Sequence, residues 1–277
     1  MLAAGAGKTF ETKPPSLGVL QAFGVHDEPR RLPGGQGTSW VSGGLVFKPD
    51  VAPEFQEWYG TVLGTIGDEG FRLAKAVPAL DGAWTHNGWS ATVVLSGSEP
   101  NYRVLTTWLE IIKAARAFHQ ATSALPKPDF LHRTQGWWSK ADKRTWDVDS
   151  RTLEPELGSL VTRLRAPCTD LGPAQLIHGD LTMNVLFEAE RPPGIIDVSP
   201  YWRPASYADG IILADALCWH GLDRAALEEL NVPVAAIARG LLFRVLTTQE
   251  RINDGVGMDF LKDEIARYEK AASAIGL

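Results

Sequence analysis

Apolar positions fall in two regimes along the chain. Through the first third they occur as short runs of β-type residues: Val41–Lys48, Phe71–Val77 and Trp89–Leu95, the last two separated by the turn residues Leu80-Asp81-Gly82-Ala83. Such runs, bounded by Gly, Asp and Pro, predict short antiparallel strands. One helical period interrupts them. Phe55, Trp58, Tyr59, Val62 and Ile66 share a helical face that begins at Pro53, with Asp50 as the expected cap. Ser96-Gly-Ser-Glu-Pro100 then reads as a linker, and beyond it the spacing is mainly helical. Trp108, Ile111, Ile112, Ala115, Phe118, Ala121 and Leu125 form one stripe ending at Pro126, with His119 on its apolar side as a core residue. Helices are also predicted over Glu156–Arg165, Ile211–His220, about 234–250 and about 259–275. Between them, Val185–Phe187 and Gly194–Ile196 are too short for helices, and the turn segment Glu188–Pro193 joins them, which predicts a β-hairpin. The expectation is an α+β chain with a tail over residues 1–14, a small antiparallel β lobe with one helix over 15–97, and a larger, mostly helical lobe over 98–277 that carries the hairpin.

With 277 residues, 44% hydrophobic and 22% charged, the chain has the make-up of a soluble globular protein of one large domain or two modest lobes. A net charge of −6 argues against general nucleic-acid binding, which depends on basic surface. The longest apolar stretch, Ile211–Trp219, is too short to span a bilayer and contains Asp215. No secretory signal is evident, and Cys168 and Cys218 lack metal-type spacing, so a reduced, cytoplasmic protein is expected. Gly5-Ala6-Gly7-Lys8-Thr9 looks like the end of a P-loop, but Leu2 stands where the first Gly belongs and no strand can precede it.

Chemistry concentrates at the hairpin. Asp180 and Asn184 lie at one end of it, within His178-Gly-Asp-Leu-Thr-Met-Asn184, and Asp197 leaves the second strand at the same end. A carboxylate to handle a hydroxyl proton, with an amide and a second carboxylate for a hard cation, is the minimum set for Mg-dependent phosphoryl transfer. Upstream, a Gly-rich turn, Leu32-Pro-Gly-Gly-Gln-Gly-Thr-Ser-Trp40, precedes a strand that ends in Lys48. Glycines let backbone N–H groups approach phosphates, and Thr38 and Ser39 add hydroxyl donors.

His-Gly-Asp-Leu-x-x-Asn followed by Ile-Asp resembles the aminoglycoside phosphotransferase-like kinases, relatives of the choline kinases and the protein kinases. Two departures stand out: the Asp180–Asn184 loop is one residue tighter than in most members, and Ser199, followed by Pro200, occupies a position that is often Gly. The resemblance implies a bilobal protein-kinase-like fold binding ATP and Mg2+ in the cleft between lobes. Gly35, Gly37, Thr38 and Ser39 would cover the phosphates, although Trp40 replaces the third glycine, and Lys48 would contact them. Glu57, or Glu54 as the runner-up, would pair with Lys48. Hinge backbone near Leu95 to Gly97 would bind adenine. Asn184 and Asp197 would hold the metal, and Asp180 would accept or orient the acceptor proton, with His178 packing the loop. Asp209, or Asp215, would anchor catalytic-loop backbone. Trp138, Asp142 and Trp146 of the segment 128–154, with Trp202 and Arg203, are candidates for the acceptor pocket; the same tryptophans could equally pack a helical insert, and Trp202 and Arg203 a plain turn. The expected activity is transfer of the γ-phosphate to a hydroxyl of an amino sugar, aminoglycoside, sugar or amino alcohol, without nucleic-acid or membrane partners. The alternative is a catalytically weak kinase-like module that binds nucleotide or a protein. A protein kinase is disfavoured because no long segment ending in Ala-Pro-Glu follows Asp197, and neither a His-rich zinc cluster nor Gly-x-Ser-x-Gly is present.

Overall fold

The structure, a computed structural model, describes residues 13–33, 37–67, 69–147 and 151–277. Gly35 and all of the expected tail except Lys13 and Pro14 lie outside the described residues. The strands are β1 (Arg30–Arg31), β2 (Trp40–Ser42), β3 (Leu45–Pro49), β4 (Arg72–Leu73), β5 (Ala76–Val77), β6 (Trp89–Val93), β7 (Gln175–His178), β8 (Val185–Glu188), β9 (Arg191–Ile195) and β10 (Pro200–Arg203). The α-helices are α1 (Leu17–Ala22), α2 (Pro53–Thr61), α3 (Leu105–Thr122), α4 (Trp137–Trp146), α5 (Pro155–Arg165), α6 (Ala205–Trp219), α7 (Arg224–Leu230), α8 (Val234–Asn253) and α9 (Leu261–Ala274). They divide into two compact units. One runs through Ser98 and takes in Leu186–Asp197; the other holds Glu99–Val185 and Val198–Leu277.

In the first unit an antiparallel sheet has the order β1-β2-β3-β6-β5. Its inner face packs Phe47 edge-on to Phe23, 5.6 Å between ring centres, among Val19, Leu20, Val25 and Ala91. Burying such aromatic and branched side chains is the main source of stability for a lobe this small. Helix α2 starts with Pro53 in its first turn, where a missing N–H costs nothing. Asp50 does not cap it: its backbone is left-handed, φ 58°, and its N–H is spent on Gly88 O at 2.8 Å, so Ala52 takes the cap position. The run Phe71–Val77 divides into two strands. β5 joins β6, whereas β4 pairs in parallel with β9, in a separate sheet of order β4-β9-β8. That pairing, with the bridge between Ser98 and Phe187, explains why Leu186–Asp197 groups with residues that precede it by nearly a hundred positions.

The second unit is built on α6 and α8. Helix α6 starts at Ala205, six residues earlier than its apolar run suggests, and is buried from Tyr207 through Cys218. It crosses α8 at two glycines: a Cβ on Gly210 would lie 2.0 Å from Ala236 O, and one on Gly240 would lie 2.3 Å from Gly210 O. Only residues without side chains allow backbones this close. Helix α3 braces β7, with Thr122 Oγ1 donating to Leu176 O at 3.1 Å and His119 Nε2 accepting from His178 N–H at 3.1 Å. Strand β10 pairs with β7 in antiparallel register, Pro200 opposite His178 and Arg203 opposite Gln175. Among the described residues no single helix is long and apolar enough to cross a membrane.

Candidate functional site

In the first unit Lys48 ends up where its strand position suggests, on β3, and its Nζ lies 2.9 Å from Asp197 Oδ2. The pair is partly open, with the lysine side chain 27% and the aspartate 50% exposed. The carboxylate expected to hold Lys48 is not the one that does. Glu57 is exposed on α2 and makes no ion pair with Lys48, and Glu54 is exposed as well. The α2 side chain that turns inward is Gln56, which donates to Ala91 O of β6 at 3.4 Å. The helical register explains this correction: Gln56 and Tyr59 share the buried face, which puts Glu57 on the opposite one. Tyr59 donates to Ala74 O at 2.5 Å, and burial, aided by the charge of Asp197, pushes its hydroxyl well above the usual tyrosine range.

Gly37 is left-handed, φ 66°, and its carbonyl accepts from Arg31 Nε at 2.7 Å. Ser39 O accepts from Leu32 N–H at 2.9 Å, and Thr38 and Ser39 are half-buried beside it. At the expected hinge, Ser98 exchanges both main-chain bonds with Phe187, at 2.9 and 2.8 Å. Gly97 has φ 126°, and a Cβ there would meet Phe187 O at 2.8 Å. A polar clasp surrounds this crossing. Arg72 reaches Pro192 O at 2.8 Å and Ser96 O at 3.1 Å, and Glu188 accepts from Ser96 Oγ at 2.6 Å and from Arg191 at 3.0 Å. The Ser96 hydrogen bond comes first among the interactions that hold the Glu188 carboxyl below its usual range. Arg72 occupies the carbonyl of Ser96 and β8 occupies Ser98. No hydrogen bond among the described residues engages the main chain of Leu95 or Gly97.

In the second unit the loop after β7 carries Asp180 and Asn184. Gly179 is required there, since a Cβ would come within 2.4 Å of the Tyr201 ring. The tight spacing is accommodated by Met183, whose backbone is left-handed at φ 67° and whose N–H donates to Tyr102 Oη at 3.1 Å. Asn184 N–H closes a turn onto Leu181 O at 3.0 Å, and its side-chain Nδ2 donates to Asp180 O at 2.6 Å. With its amino group committed to the loop, Asn184 presents its amide oxygen as an acceptor. Asp180 N–H donates to His178 Nδ1 at 3.2 Å, so His178 supports the loop from within the core.

The Asp180 carboxylate meets Arg244 of α8, Nη2 to Oδ1, at 2.9 Å. Arg244 is 3% exposed and is itself gripped by Asp215 through two bonds of 2.6 Å. Burial is the largest influence and pushes the Asp180 carboxyl up; the Arg244 guanidinium leads the opposing interactions, which together leave it below the usual carboxylate range. Asp209, the expected backbone anchor, goes elsewhere: one oxygen takes Arg116 Nε at 2.8 Å, and the other is buried without a hydrogen-bond partner. Asp215, the alternative, reaches the loop, though through a side chain rather than the backbone. Arg244 had not been singled out from the sequence. The available signal was a lone cation in the apolar run Leu241-Leu-Phe-Arg-Val-Leu246, matched by a lone acid within Ile211–Cys218.

Three of the acceptor candidates, Asp142, Trp146 and Arg203, form a closed cluster. Asp142 takes three hydrogen bonds of 2.6–3.1 Å from Arg203, and Trp146 stacks beneath Arg239 at 4.0 Å with Tyr207 edge-on at 5.3 Å. Charge and aromatic surface satisfied in this way brace α4 against β10 and α8. Trp138 packs edge-on against its neighbour Trp137, and Trp202 lies opposite Leu176 in the β10–β7 pair. Open space lies instead beside α3, α6 and α7, in a pocket of about 1000 Å³ lined by Tyr102, Arg103, Trp108, Trp219, His220 and Glu229, among others. Tyr102 joins this wall to the Asp180 loop through Met183.

The donor chemistry fits a hard cation. In the first unit Asp197 offers a half-exposed carboxylate, and in the second Asn184 offers an amide oxygen; each is a hard oxygen donor of the kind magnesium takes. No cluster of three or more His, Cys, Asp or Glu residues with metal-binding geometry occurs among the described residues.

Neither a family model nor a curated protein matches the sequence. Solved structures do match the fold. An aminoglycoside phosphotransferase from Alicyclobacillus acidocaldarius subsp. acidocaldarius DSM 446 is 16% identical, covering 96% of this chain and 94% of its own, with a TM-score of 0.65. A choline/ethanolamine kinase family protein from Mesorhizobium loti is 16% identical, over 92% and 90% of the two chains, with a TM-score of 0.56. A thermostable mutant of aminoglycoside phosphotransferase APH(4)-Ia, in ternary complex with ADP and hygromycin B, is 12% identical over 92% and 96%, with a TM-score of 0.55. The chain therefore has the α+β, protein-kinase-like fold that aminoglycoside phosphotransferases and choline kinase-like proteins share.

Proposed function

We propose, for a chain with the fold of these small-molecule kinases, that it is a cytoplasmic, ATP- and Mg-dependent phosphotransferase acting on a hydroxyl of a small molecule. The observation that carries this reading is the Asp180 loop: a carboxylate in contact with the buried Arg244, four residues from an amide whose NH2 is tied back to the loop. Lys48 binds phosphate oxygens, with Thr38, Ser39 and nearby loop backbone covering them, and base recognition falls to the main chain of Leu95 and Gly97. Asn184 and Asp197 would hold magnesium, which neutralises charge on the phosphates when bound. Asp180 accepts the hydrogen bond of the acceptor hydroxyl and directs its oxygen at the γ-phosphorus; the new O–P bond forms as the bond to ADP breaks, and the hydroxyl proton leaves toward Asp180. Positioning and charge stabilisation supply most of the rate. The pocket beside Tyr102 and Trp219 mixes aromatic faces with charge, which suits a sugar or amine acceptor.

The test is ADP release with Mg-ATP across a panel of amines, sugars and aminoglycosides. Asp180→Ala is expected to lower kcat by roughly 10²–10⁴-fold while nucleotide affinity is nearly kept. Full turnover by Asp180→Ala would overturn the role given to that residue. A second reading, a nucleotide-binding module with weak turnover, is favoured by Gln56 occupying the inward face of α2 in place of a glutamate. Tight ATP binding with no release across the whole panel would select it.

A further inference from the structure

Asp180 is tied to its surroundings in two distinct ways. Its main chain is held by His178 and by Asn184, and the loop beyond it by Tyr102. Its carboxylate is held by a residue 64 positions away on another element, Arg244. We propose that Arg244 is a positioning residue for Asp180, oriented by Asp215. This deepens the phosphotransferase reading and rests on it wherever turnover is the readout.

The geometry starts at the glycine crossing. Asp215 stands five residues after Gly210 on α6, and Arg244 four residues after Gly240 on α8. The contact between the glycines sets the helices close enough for the two side chains to meet one turn further on. Arg244 presents Nε and Nη2 to the two oxygens of Asp215, each at 2.6 Å, a planar fork-to-fork pair that fixes the guanidinium in both position and rotation. With the plane fixed, Nη2 still directs a bond of 2.9 Å to Asp180 Oδ1. One cation facing two carboxylates is more than charge balance at Asp180 needs. The second carboxylate aims the first contact. Asp180, at 25% exposure, is the one member of the trio that solvent reaches, as a group meant to meet a substrate would be. A lysine could not replace Arg244, because a single ammonium lacks the planar fork needed to grip one carboxylate squarely and still aim at another.

Two variants of the full-length protein test this. Removing Arg244 alone would leave Asp215 buried and unpaired, so the main variant is the double change Arg244→Met with Asp215→Leu, which replaces the buried pair by apolar side chains of similar size. Arg244→Lys keeps the charge and serves where the double variant does not fold. Three quantities are compared with the parent: amide hydrogen exchange of residues 179–184, the Kd for Mg-ADP, and the rate of ADP release at saturating ATP with the best acceptor of the panel. Loop exchange should quicken about 10-fold or more, kcat should fall by about 10–100-fold, and the ADP Kd and melting temperature should change little. A residue that served stability alone would lower the melting temperature and leave kcat of the folded fraction intact. Unchanged loop exchange overturns the proposal, and so does unchanged kcat. Where the parent itself shows no turnover, the phosphotransferase reading fails and the exchange comparison alone decides the positioning role.

Discussion

Lys48 holds Asp197 at 2.9 Å with half of the carboxylate open to solvent, whereas Arg244 holds Asp180 from a side chain only 3% exposed and locked by a second acid. Both contacts join one cation to one candidate site carboxylate at the same distance, but their energetics differ. An open pair is screened and easily exchanged, so a phosphate or a metal can take over either partner at small cost. A buried pair contributes little net stability when complete and is costly to leave half-made. The first unit thus leaves its charged pair open to exchange, and the second keeps one carboxylate fixed.

The largest effect should come from breaking the buried contact. Arg244→Ala is expected to lose about 3–5 kcal/mol of unfolding free energy in urea titration, because Asp215 is stranded. A loss under about 1 kcal/mol would mean that the trio is wetter than its burial indicates. Acid should strike the same side next. His119 accepts from His178 N–H, and burial, with the neighbouring His178, pulls its pKa down to about 3. The folded state therefore stays neutral where the unfolded chain, with pKa near 6.5, takes up a proton. This contribution is fully present above pH 6.5 and is lost as pH falls toward 3, by up to about 1.4 kcal/mol per pH unit. His119→Gln, which can keep the acceptor, should flatten that part of the stability-versus-pH curve; an unchanged slope would assign the acid sensitivity to other groups. The open pair should give the smallest change in stability. Lys48→Met is expected to cost about 0–1 kcal/mol of folding free energy while weakening Mg-ATP binding about 10-fold or more by calorimetry. Equal losses of stability from Lys48→Met and Arg244→Ala would erase the contrast between the two sides.

Much of this was legible from local pattern. The His178–Asn184 segment, the hairpin and Lys48 can be read because chemistry and turn signals crowd within a few residues, and the helical stripes of α3, α8 and α9 follow from spacing. Pairings across long intervals were not legible. Glu57, with Glu54 as runner-up, is the expectation because an acid suits a lysine partner, yet the register of α2 buries Gln56 and leaves both glutamates outside. Asp142, Trp146 and Arg203 carry chemistry suited to a sugar, but complementary groups 61 residues apart satisfy each other first. Asp209 was chosen over Asp215 by interval alone, and only the crossing of α6 and α8 distinguishes them. Arg244 shows the general lesson: one basic residue inside an apolar helix needs an acid, and the candidates are the lone acids inside other apolar helices.

The glycine contact of α6 with α8 therefore reaches further than packing. Each of these two positions lies about a turn or more from the ion pair it governs and touches no candidate ligand group. A single methyl at either would still wedge the helices apart and swing the guanidinium off its target. Damage at Asp180 could thus arise from a substitution that a list of nearby residues would never flag.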